Sequence, residues 1–332
     1  MNKQKIALTL GDPAGIGPEI VLKAALDNKV REKCLPIIVG DLEAANKIKD
    51  IADINIEFDV ISDTKNLVES DKVFFIDLGI VDGYDYKIGE IDGRCGLASY
   101  KYIEKATQLA MDGSVDAIAT SPINKESLKA GKVPYIGHTE MLASLSDSHD
   151  PLTMFEVDKL RVFFLSRHVS LREACDMVKK DRIIDYVIRC SAALKKMGVE
   201  GTMAIAGLNP HGGENGLFGW EEVNEIIPAI EELKTMGYDV VGPVPADSIF
   251  HHGLNGKYES ILSLYHDQGH IATKTYDFYR TIAITHGMPI LRTSVDHGTA
   301  FDIAGKNIAD PVSMIEAVLL ATKYSAFFVN NK

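Results

Sequence analysis

Short apolar runs alternate with longer amphipathic stretches along the whole chain. Seven runs are predicted strands, and several are apolar throughout and bounded by Gly, Asp or Ser, as buried parallel strands are. These strands are 5–10, 36–40, 72–77, 115–121, 160–166, 202–209 and 259–266, and the predicted helices are 18–27, 41–49, 96–112, 139–146, 170–179, 181–197 and 221–236. This alternation predicts an α/β fold with largely parallel sheets.

Composition narrows the possible partners of the protein. With 332 residues the chain exceeds the usual single-domain length, so one large or two medium domains are expected. The formal charge of −12 argues against a nucleic-acid binder, which needs a basic face, but it permits a small anionic substrate. Without a long apolar segment or a CxxC pair, we expect no membrane partner and a cytoplasmic protein with reduced thiols.

Polar, glycine-rich segments follow five of the predicted strands. In chain order they read GDPAGIGPE, SPINKES, SRH, LNPHGGENGLFG and YHDQGH. In α/β folds ligands gather where strands end and helices begin, so these segments are the candidate ligand-binding regions. The first segment has neither the GxGxxG dinucleotide pattern nor a phosphate-binding P-loop pattern, so an ordinary glycine-rich turn remains an alternative for it.

Three histidines, His168, His211 and His266, each come just after a predicted strand. Imidazole is a common ligand of divalent metals, and three ligands would leave room for a substrate oxygen. Since they are far apart in sequence, tertiary structure or two chains would have to assemble them; isolated histidines at strand ends are the alternative. His270 has helical spacing from His266, but Gly269 and the β-branched residues that follow favour a tight loop and a second strand, with His270 as a bystander.

Anion-binding residues are also dispersed. The segment GHTE offers the imidazole of His138, the hydroxyl of Thr139 and a helix start, which together suit a phosphate or carboxylate. Lys274 and Arg292 lie at predicted strand ends or loops, and arginine can hold such groups by two parallel hydrogen bonds. Solvated surface charges are the alternative for each of them.

Residues 296–311, DHGTAFDIAGKNIADP, contain too many helix-poor residues for a plain helix. They predict a loop that leads into a helix from Pro311 and that suits contacts with a nucleotide; a surface loop is the alternative. The segment resembles the HG(S/T)AxDIAGKxIANP loop of the isocitrate and isopropylmalate dehydrogenases, which wraps the adenosine half of NAD(P). GDPAGIGPEI likewise resembles their GDGIGPEI, so both ends of the chain resemble one superfamily.

The closer resemblance is to the 4-hydroxythreonine-4-phosphate dehydrogenase family of pyridoxine (vitamin B6) synthesis, including its paralogues that act on 4-phospho-D-threonate or 4-phospho-D-erythronate. The segments TLGDPAGIGPEI, ATSPINKE, YIGHTE, LNPHGGENG, YHDQGH and LRTSVDHGTA carry it along essentially the whole chain. The resemblance implies an isocitrate/isopropylmalate dehydrogenase-like fold of two α/β/α domains with an active-site cleft between them. Residues 1–125 and 290–332 would form the cofactor-side domain, and 126–289 the domain for metal, substrate and dimerisation.

The same resemblance implies the chemistry. The expected activity is oxidation of a 4-phosphorylated 3-hydroxy acid with NAD and a divalent metal (Zn, Mg, Mn or Co), followed by decarboxylation, in a homodimer whose subunits share the active site. The implied metal ligands are His168, His211 and His266, and the implied substrate contacts are His138, Thr139, Lys274 and Arg292. The implied cofactor contacts are Gly11, Asp12, Gly15, His297, Gly298, Ala300, Asp302 and Asp310. Asp302 suits ribose hydroxyls and so favours NAD over NADP, and Lys274 and Asp267 are the candidate proton acceptors.

One position departs from the pyridoxine enzyme. Ala283, in IAITHGMP, stands where that enzyme has a substrate-contacting asparagine, and a lost amide changes the recognition of a polar substituent. GENGLFG and YHDQGHI are also more similar to the phospho-threonate paralogues. Two further functions stay open: a phosphate acyltransferase of related fold without NAD or metal, against which the loop 296–311 argues, and a non-catalytic phosphometabolite sensor, against which the three histidines argue.

Overall fold

The computed structural model describes residues 3–65, 67–68 and 70–329 and divides the chain into two compact units. The first unit consists of Met1–Pro151 and Gly287–Lys332, and the second consists of Leu152–His286. The first unit is therefore discontinuous. Residues 126–151 and 287–289, which the sequence assigned to the second domain, lie in the first unit, while the expected cleft between the domains stays a prediction.

The described residues form twelve strands and twelve α-helices. The strands are β1 (Gln4–Thr9), β2 (Cys34–Gly40), β3 (Phe58–Val60), β4 (Val73–Asp77), β5 (Ala117–Thr120), β6 (Leu152–Val157), β7 (Leu160–Phe164), β8 (Met203–Ala206), β9 (Val240–Val244), β10 (Ser260–Ser263), β11 (Ile282–His286) and β12 (Arg292–Ser294). The helices are α1 (Gly17–Leu26), α2 (Asn28–Lys33), α3 (Leu42–Ile51), α4 (Gly93–Met111), α5 (Lys125–Ala130), α6 (His138–Leu145), α7 (Leu171–Asp176), α8 (Lys180–Lys196), α9 (Ile227–Thr235), α10 (Ala246–Leu254), α11 (His266–Tyr276) and α12 (Val312–Val329). Within the described part of the chain, no helix combines the length and the apolar character needed to cross a membrane.

The sheet of the first unit has the strand order β3-β4-β2-β1-β5-β12, and each of its pairs is parallel. The central strand β1 pairs with β2 through Ile6 opposite Pro36 and with β5 through Ile6 opposite Ala117. Ile6, Ala7 and Leu8 are fully buried, although their side chains point to both faces of the sheet. This explains why the run is apolar throughout instead of alternating, and it confirms the predicted buried parallel strands.

Helices α4 and α5 pack backbone against backbone in the first unit. A Cβ atom on Gly96 would lie 2.1 Å from the carbonyl oxygen of Ser127, and one on Gly131 would lie 2.3 Å from that of Gly93. Any side chain at these glycines would separate the two helices. This close packing holds α5 on α4, which is the physical reason that the first unit extends beyond residue 125.

The sheet of the second unit has the order β11-β6-β7-β10-β8-β9. Strands β7, β10, β8 and β9 are parallel to one another, whereas β6 pairs antiparallel with both β7 and β11. The core under this sheet includes Leu160, Val162 and Phe164 of β7 together with Ile261 of β10. The prediction of an α/β fold is confirmed, and the antiparallel strands β6 and β11 are additions that the apolar pattern did not indicate.

The prediction of a loop and a second strand after His266 is wrong, because these residues form helix α11. Gly269 was interpreted as a turn residue, but its role is close packing. A Cβ atom there would lie 2.6 Å from Cε1 of Phe164 and 2.9 Å from Cγ1 of Val162, so glycine lets the helix lie directly against β7. The β-branched residues in α11 weaken helix propensity only slightly, and this packing overrides them.

Candidate active site

His168 and His266 lie close together in the second unit. They follow β7 and β10, which are parallel neighbours whose carboxyl ends meet at one edge of the sheet. Their ring centroids are 5.9 Å apart, and both side chains line a cavity of about 260 Å³ that Arg167, Tyr265 and Asp267 also border. The structure therefore brings together two of the three predicted metal ligands, at the type of junction where α/β folds bind ligands.

His270 packs beside His266, one turn further along α11. The two ring centroids are 4.1 Å apart, and the His270 ring also stacks on Phe164 at 4.7 Å and meets the edge of Phe155 at 4.4 Å. Burial, and then the neighbouring His266, lowers the pKa of His270 to about 4, so its imidazole is neutral near neutral pH. His270 thus lies near the site, as the interpretation of a bystander there expected, and it is the buried neighbour against which the ring of His266 packs.

His211 lies apart from this pair. It is in the turn Pro210–Gly216 after β8, and its side chain is 64% exposed. Across the described ranges, no group of three or more His, Cys, Asp or Glu side chains is arranged to hold a metal ion. Within the single chain, therefore, the structure does not bring His211 to His168 and His266.

Two of the three histidines nevertheless have the hydrogen bond that metal ligands usually have. Nδ1 of His266 lies 2.6 Å from Oδ1 of Asp267, and Nδ1 of His211 lies 2.9 Å from Oε1 of Glu214. A carboxylate at Nδ1 keeps the proton on that nitrogen, and the lone pair of Nε2 is then available to a metal. The donor set therefore fits a divalent metal. Sequence reasoning missed Glu214, although it stands only three residues after His211.

Lys274 lies in the last turn of α11, on the same helical face as the two histidines of that helix. Residues 266, 270 and 274 are four apart, the spacing that places side chains along one face of an α-helix. The Lys274 ammonium is 5.3 Å from the centre of the Phe278 ring, and its positive charge contributes to the lowered pKa of His270. Lys274 therefore extends the row of polar side chains that begins with His266.

Buried hydrogen bonds hold the three histidine segments to one another. Oγ of Ser166 donates to the carbonyl oxygen of Leu264 at 2.9 Å, which ties the segment of His168 to that of His266. Nε2 of Gln268 donates to the carbonyl oxygen of Gly207 at 2.8 Å, which ties α11 to the segment of His211. Sequence reasoning missed Ser166 and Gln268, because their partners are distant in the chain and no local pattern indicates them.

His138 and Arg292 form a cluster in the first unit, and Arg292 supplies its positive charge. Arg292 is 4% exposed, and its Nε and Nη2 donate to Oγ1 of Thr120 at 3.0 and 2.7 Å. Burial lowers the pKa of Arg292 to about 9, and Asp296 partly opposes this shift. Burial and then the charge of Arg292 hold the pKa of His138 well below its usual range, and the buried Nε2 of His138 has no hydrogen-bond partner.

The helix end at this cluster adds to its attraction for anions. α6 begins at His138 as predicted, and Thr139 stands in its first turn. The first N–H groups of a helix have no partners within the helix and carry the positive end of its dipole. Together with the guanidinium of Arg292, they form the kind of place where a phosphate or carboxylate binds.

The two segments predicted to bind the cofactor meet in the first unit. The backbone N–H of Ile16 donates to the carbonyl oxygen of Thr299 at 3.0 Å, and a Cβ atom on Gly15 would lie 2.9 Å from Cβ of Thr299. Gly11 has φ +79°, and a Cβ atom there would lie 2.2 Å from Oγ of Ser121. Packing of the chain against itself therefore accounts for both glycines, and their contact with a cofactor stays a prediction.

Asp12 is the buried member of this group. Its Oδ1 accepts a hydrogen bond from the N–H of Ala14 at 2.9 Å, and burial raises its pKa to about 6. The carboxylate therefore closes the turn of its own segment. Its predicted role toward the cofactor is not tested by these contacts.

The loop 296–311 is irregular as predicted and leads into α12 directly after Pro311. Within the loop, Ala300 has φ +40°, and Asp302 and Asp310 are exposed. Two contacts join the loop to α12. Asp310 accepts a hydrogen bond from the N–H of Val312 at 2.9 Å, and Nε2 of His297 lies 2.7 Å from Oγ of Ser313. Sequence reasoning missed the contact of Glu19. This buried carboxylate accepts from the N–H of Ala309 at 3.0 Å and from Lys23 at 2.6 Å, and it thereby anchors the loop.

Comparison with known protein families shows to which family this chain belongs. Residues 32–321 match the model of the family described as pyridoxal phosphate biosynthetic protein PdxA. The chain belongs to the PdxA family. The family predicted from the sequence is thus confirmed, and with it the prediction of a dehydrogenase.

Curated relatives and solved structures match nearly the whole chain. A protein of Fusobacterium nucleatum, provisionally named D-threonate 4-phosphate dehydrogenase, is 58% identical over 331 residues, which cover 99% of this chain and 100% of the relative. The 4-hydroxythreonine-4-phosphate dehydrogenase of Klebsiella pneumoniae is 37% identical with a TM-score of 0.89, covering 97% of this chain and 100% of that structure. A terephthalate 1,2-cis-dihydrodiol dehydrogenase of Burkholderia xenovorans is 26% identical with a TM-score of 0.68, covering 97% and 98%. Membership of this dehydrogenase family implies a nicotinamide cofactor.

Proposed function

We propose that this PdxA-family chain oxidises D-threonate 4-phosphate (4-phospho-D-threonate) or D-erythronate 4-phosphate with NAD and a divalent metal, followed by decarboxylation. The observation that carries the proposal is the 58% identity, over nearly all of both chains, to a relative provisionally named D-threonate 4-phosphate dehydrogenase. The identity to the 4-hydroxythreonine-4-phosphate dehydrogenase of Klebsiella pneumoniae is lower, at 37%. Because that structure has a TM-score of 0.89 to this chain, 4-phosphohydroxy-L-threonine is the second candidate substrate.

The anionic ends of the substrate match the cationic cluster of the first unit. Arg292 offers a buried guanidinium, and His138 and Thr139 stand at the N-terminus of α6. These groups would hold the phosphate or the carboxylate by charge-assisted hydrogen bonds. Burial removes competing water, which strengthens the attraction of Arg292 for an anion.

We propose that His168 and His266 of one subunit and His211 of the other hold the metal of a homodimer. His168 and His266 already lie together, and carboxylates fix Nδ1 of His266 and of His211. When bound, a divalent metal stabilises negative charge that develops on substrate oxygen atoms. The second unit exposes many large apolar side chains, which suits a subunit interface: Leu171, Leu217, Phe218, Trp220, Ile271, Phe278 and Tyr279.

In the proposed reaction, protein side chains would transfer the proton and the cofactor would accept the hydride. Lys274, on the α11 face that also carries His266, would accept the proton of the substrate hydroxyl through its unprotonated amine, and NAD held by the loop 296–311 would supply the hydride acceptor. The oxidation product would be a β-keto acid, which would lose its carboxylate as CO₂, and the enolate that remains would take up a proton at carbon. Asp267 forms a hydrogen bond with Nδ1 of His266, and this contact supports a role for Asp267 in orienting that imidazole.

The loop 296–311 would bind NAD. The exposed carboxylate of Asp302 suits the hydroxyls of a ribose and would repel a 2′-phosphate, which supports NAD over NADP. His297, Gly298, Ala300 and Asp310 of the loop, and Gly11, Asp12 and Gly15 of the segment packed against it, are the other proposed contacts.

The test is a comparison of kcat/KM for D-threonate 4-phosphate, D-erythronate 4-phosphate and 4-phosphohydroxy-L-threonine, measured by NADH absorbance with and without a chelator. We expect the highest value for one of the two phosphorylated sugar acids and loss of activity on chelation. A higher value for 4-phosphohydroxy-L-threonine would move the chain to the second candidate. No NADH from any of the three would contradict the proposal and reopen the acyltransferase and sensor alternatives, which family membership now disfavours.

A further inference from the structure

The segment that carries His211 has an uncommon backbone. Five consecutive residues, 211–215, have φ between +41° and +78°, and three of them, His211, Glu214 and Asn215, are not glycine. Residues with a side chain enter this left-handed region at an energetic cost, and they remain there only when surrounding contacts hold them. Some neighbouring group must therefore stabilise the turn.

That group is Glu222. It is fully buried, and it stands at the start of the π-helical segment Glu222–Ile226 that precedes α9. Its Oε1 accepts hydrogen bonds from the N–H groups of Leu208 and Asn209 at 2.8 and 2.7 Å, and its Oε2 accepts one from Nδ2 of Asn209 at 2.8 Å. One carboxylate thus fixes the chain immediately before Pro210 and His211.

Glu222 also touches the far side of the turn. A Cβ atom on Gly213 would lie 2.7 Å from Oε2 of Glu222, so the carboxylate occupies the inside of the turn and glycine is required opposite it. Hydrogen bonds to a charged acceptor are about twice as strong as neutral ones, which suits a group that must hold a strained segment. The hydrogen bonds and the packing together leave the turn little freedom.

We infer that Glu222 is a positioning residue for His211 and thereby sets the affinity of the proposed metal site. This inference rests on the proposed function, because it takes His211 to be a metal ligand. Glu222 would act on His211 through the segment 208–213, by its hydrogen bonds to the backbone of Leu208 and Asn209 and to the Asn209 side chain. Changes outside the ligand set that disturb ligand orientation typically weaken metal binding by about 10- to 100-fold.

Glu222→Gln is the most informative variant, because glutamine has nearly the same size and shape as glutamate but replaces one acceptor oxygen with an NH₂ donor. Both oxygens of Glu222 face N–H donors, so the amide NH₂ of glutamine must point at a donor in either orientation. Asn209 does not resolve the conflict by turning its own amide. Its Nδ2 also donates to Oε2 of Glu221 at 2.7 Å, and a flipped amide would place an oxygen against that carboxylate.

The experiment is calorimetric titration of the full-length, untagged protein with Co(II) alone. The matched control is Glu225→Gln in the same π-helical segment, because the carboxylate of Glu225 accepts its hydrogen bonds from Lys179 and Lys180 and not from the His211 turn. We expect Glu222→Gln to weaken Co(II) binding by about tenfold or more and Glu225→Gln to leave it unchanged, with both apo-proteins still folded and unfolding cooperatively. Co(II) binding by Glu222→Gln equal to that of the unaltered protein would overturn the inference.

Two further variants keep the outcome clear. Asn209→Ala removes one donor to Glu222 but keeps both backbone donors, so it should weaken Co(II) binding less than Glu222→Gln does. If Glu222→Gln does not fold, unchanged binding by Asn209→Ala overturns the inference in its place. His211→Ala separates the two claims: if it binds Co(II) normally, the proposed ligand set fails, whereas loss of binding in His211→Ala with normal binding in Glu222→Gln rejects only the positioning role.

Discussion

At the scale of single residues, a carboxylate nearby in the sequence orients the imidazole of two of the proposed metal ligands. Asp267 stands directly after His266, and Glu214 stands three residues after His211, so each hydrogen bond forms between neighbours in the chain. A ligand histidine needs its second nitrogen held in this way, because the metal takes the lone pair of the other. The contact gives Asp267 an alternative to its predicted role as proton acceptor.

Asp267→Asn separates the two roles of this residue. If Asp267 orients His266, the variant should bind metal about 10- to 100-fold more weakly and recover its kcat at saturating metal. If Asp267 is the proton acceptor, kcat stays low however much metal is added. The measurement is the steady-state rate as a function of metal concentration. A low kcat at saturating metal, with unchanged metal affinity, would contradict the orienting role.

At the scale of the element, α11 shows how a packing residue resembles a turn residue in sequence. Glycine within an apolar and β-branched segment is usually evidence against a helix, since it has low helix propensity. In α11 the missing side chain allows the helix to approach Phe164 and Val162 of β7. We expect the free energy gained from this contact to exceed the intrinsic penalty of about 1 kcal/mol for glycine.

Gly269→Ala tests this account. Alanine raises helix propensity by about 1 kcal/mol, but its Cβ atom would lie 2.6 Å from Cε1 of Phe164, and such overpacking costs about 1–3 kcal/mol. We therefore expect the variant to lose stability, with a lower midpoint of urea unfolding. The control is Thr275→Ala on the exposed face of α11, which should change stability by less than about 0.5 kcal/mol. A higher midpoint for Gly269→Ala would show that the contact with β7 does not select glycine.

At the scale of the whole molecule, the proposed metal site is incomplete within one chain. His168 and His266 are 5.9 Å apart by ring centroid, while no described group of three metal-binding side chains exists. A dimer that pairs two copies of the chain could supply His211 from the second copy. Symmetry would then build two identical sites, each with ligands from both subunits.

Hybrid dimers of two inactive variants test the shared site. His168→Ala and His211→Ala should each be inactive alone, because each homodimer lacks one ligand in both sites. When the two chains are mixed and reassembled, half of the dimers are hybrids and one of their two sites keeps all three histidines, so about a quarter of the activity should return. The readout is NADH formation by the mixture, with each variant reassembled alone as the control. No recovered activity in purified hybrids would show that each chain builds its own site.

The sequence by itself determined the features that depend on near neighbours in the chain. Seven apolar runs of 5–8 residues predicted strands that the structure contains, because burial of a strand is recorded in its own side chains. The helix start at GHTE and the irregular loop 296–311 are also local, since caps, glycines and prolines act within a few residues. The motifs spread along the chain were specific enough to indicate the family correctly.

Only the tertiary structure decided which of those segments meet. Arg292 lies beside His138, Gln268 bonds to Gly207, and Glu222 holds the turn of His211, although each pair is separated by many residues. Tertiary packing also explains two glycines, because Gly96 packs against Ser127 and Gly269 packs against Phe164. A local pattern records whether a side chain is buried, but the partner that it meets depends on how distant segments fold together, and close contacts therefore cannot be deduced from periodicity.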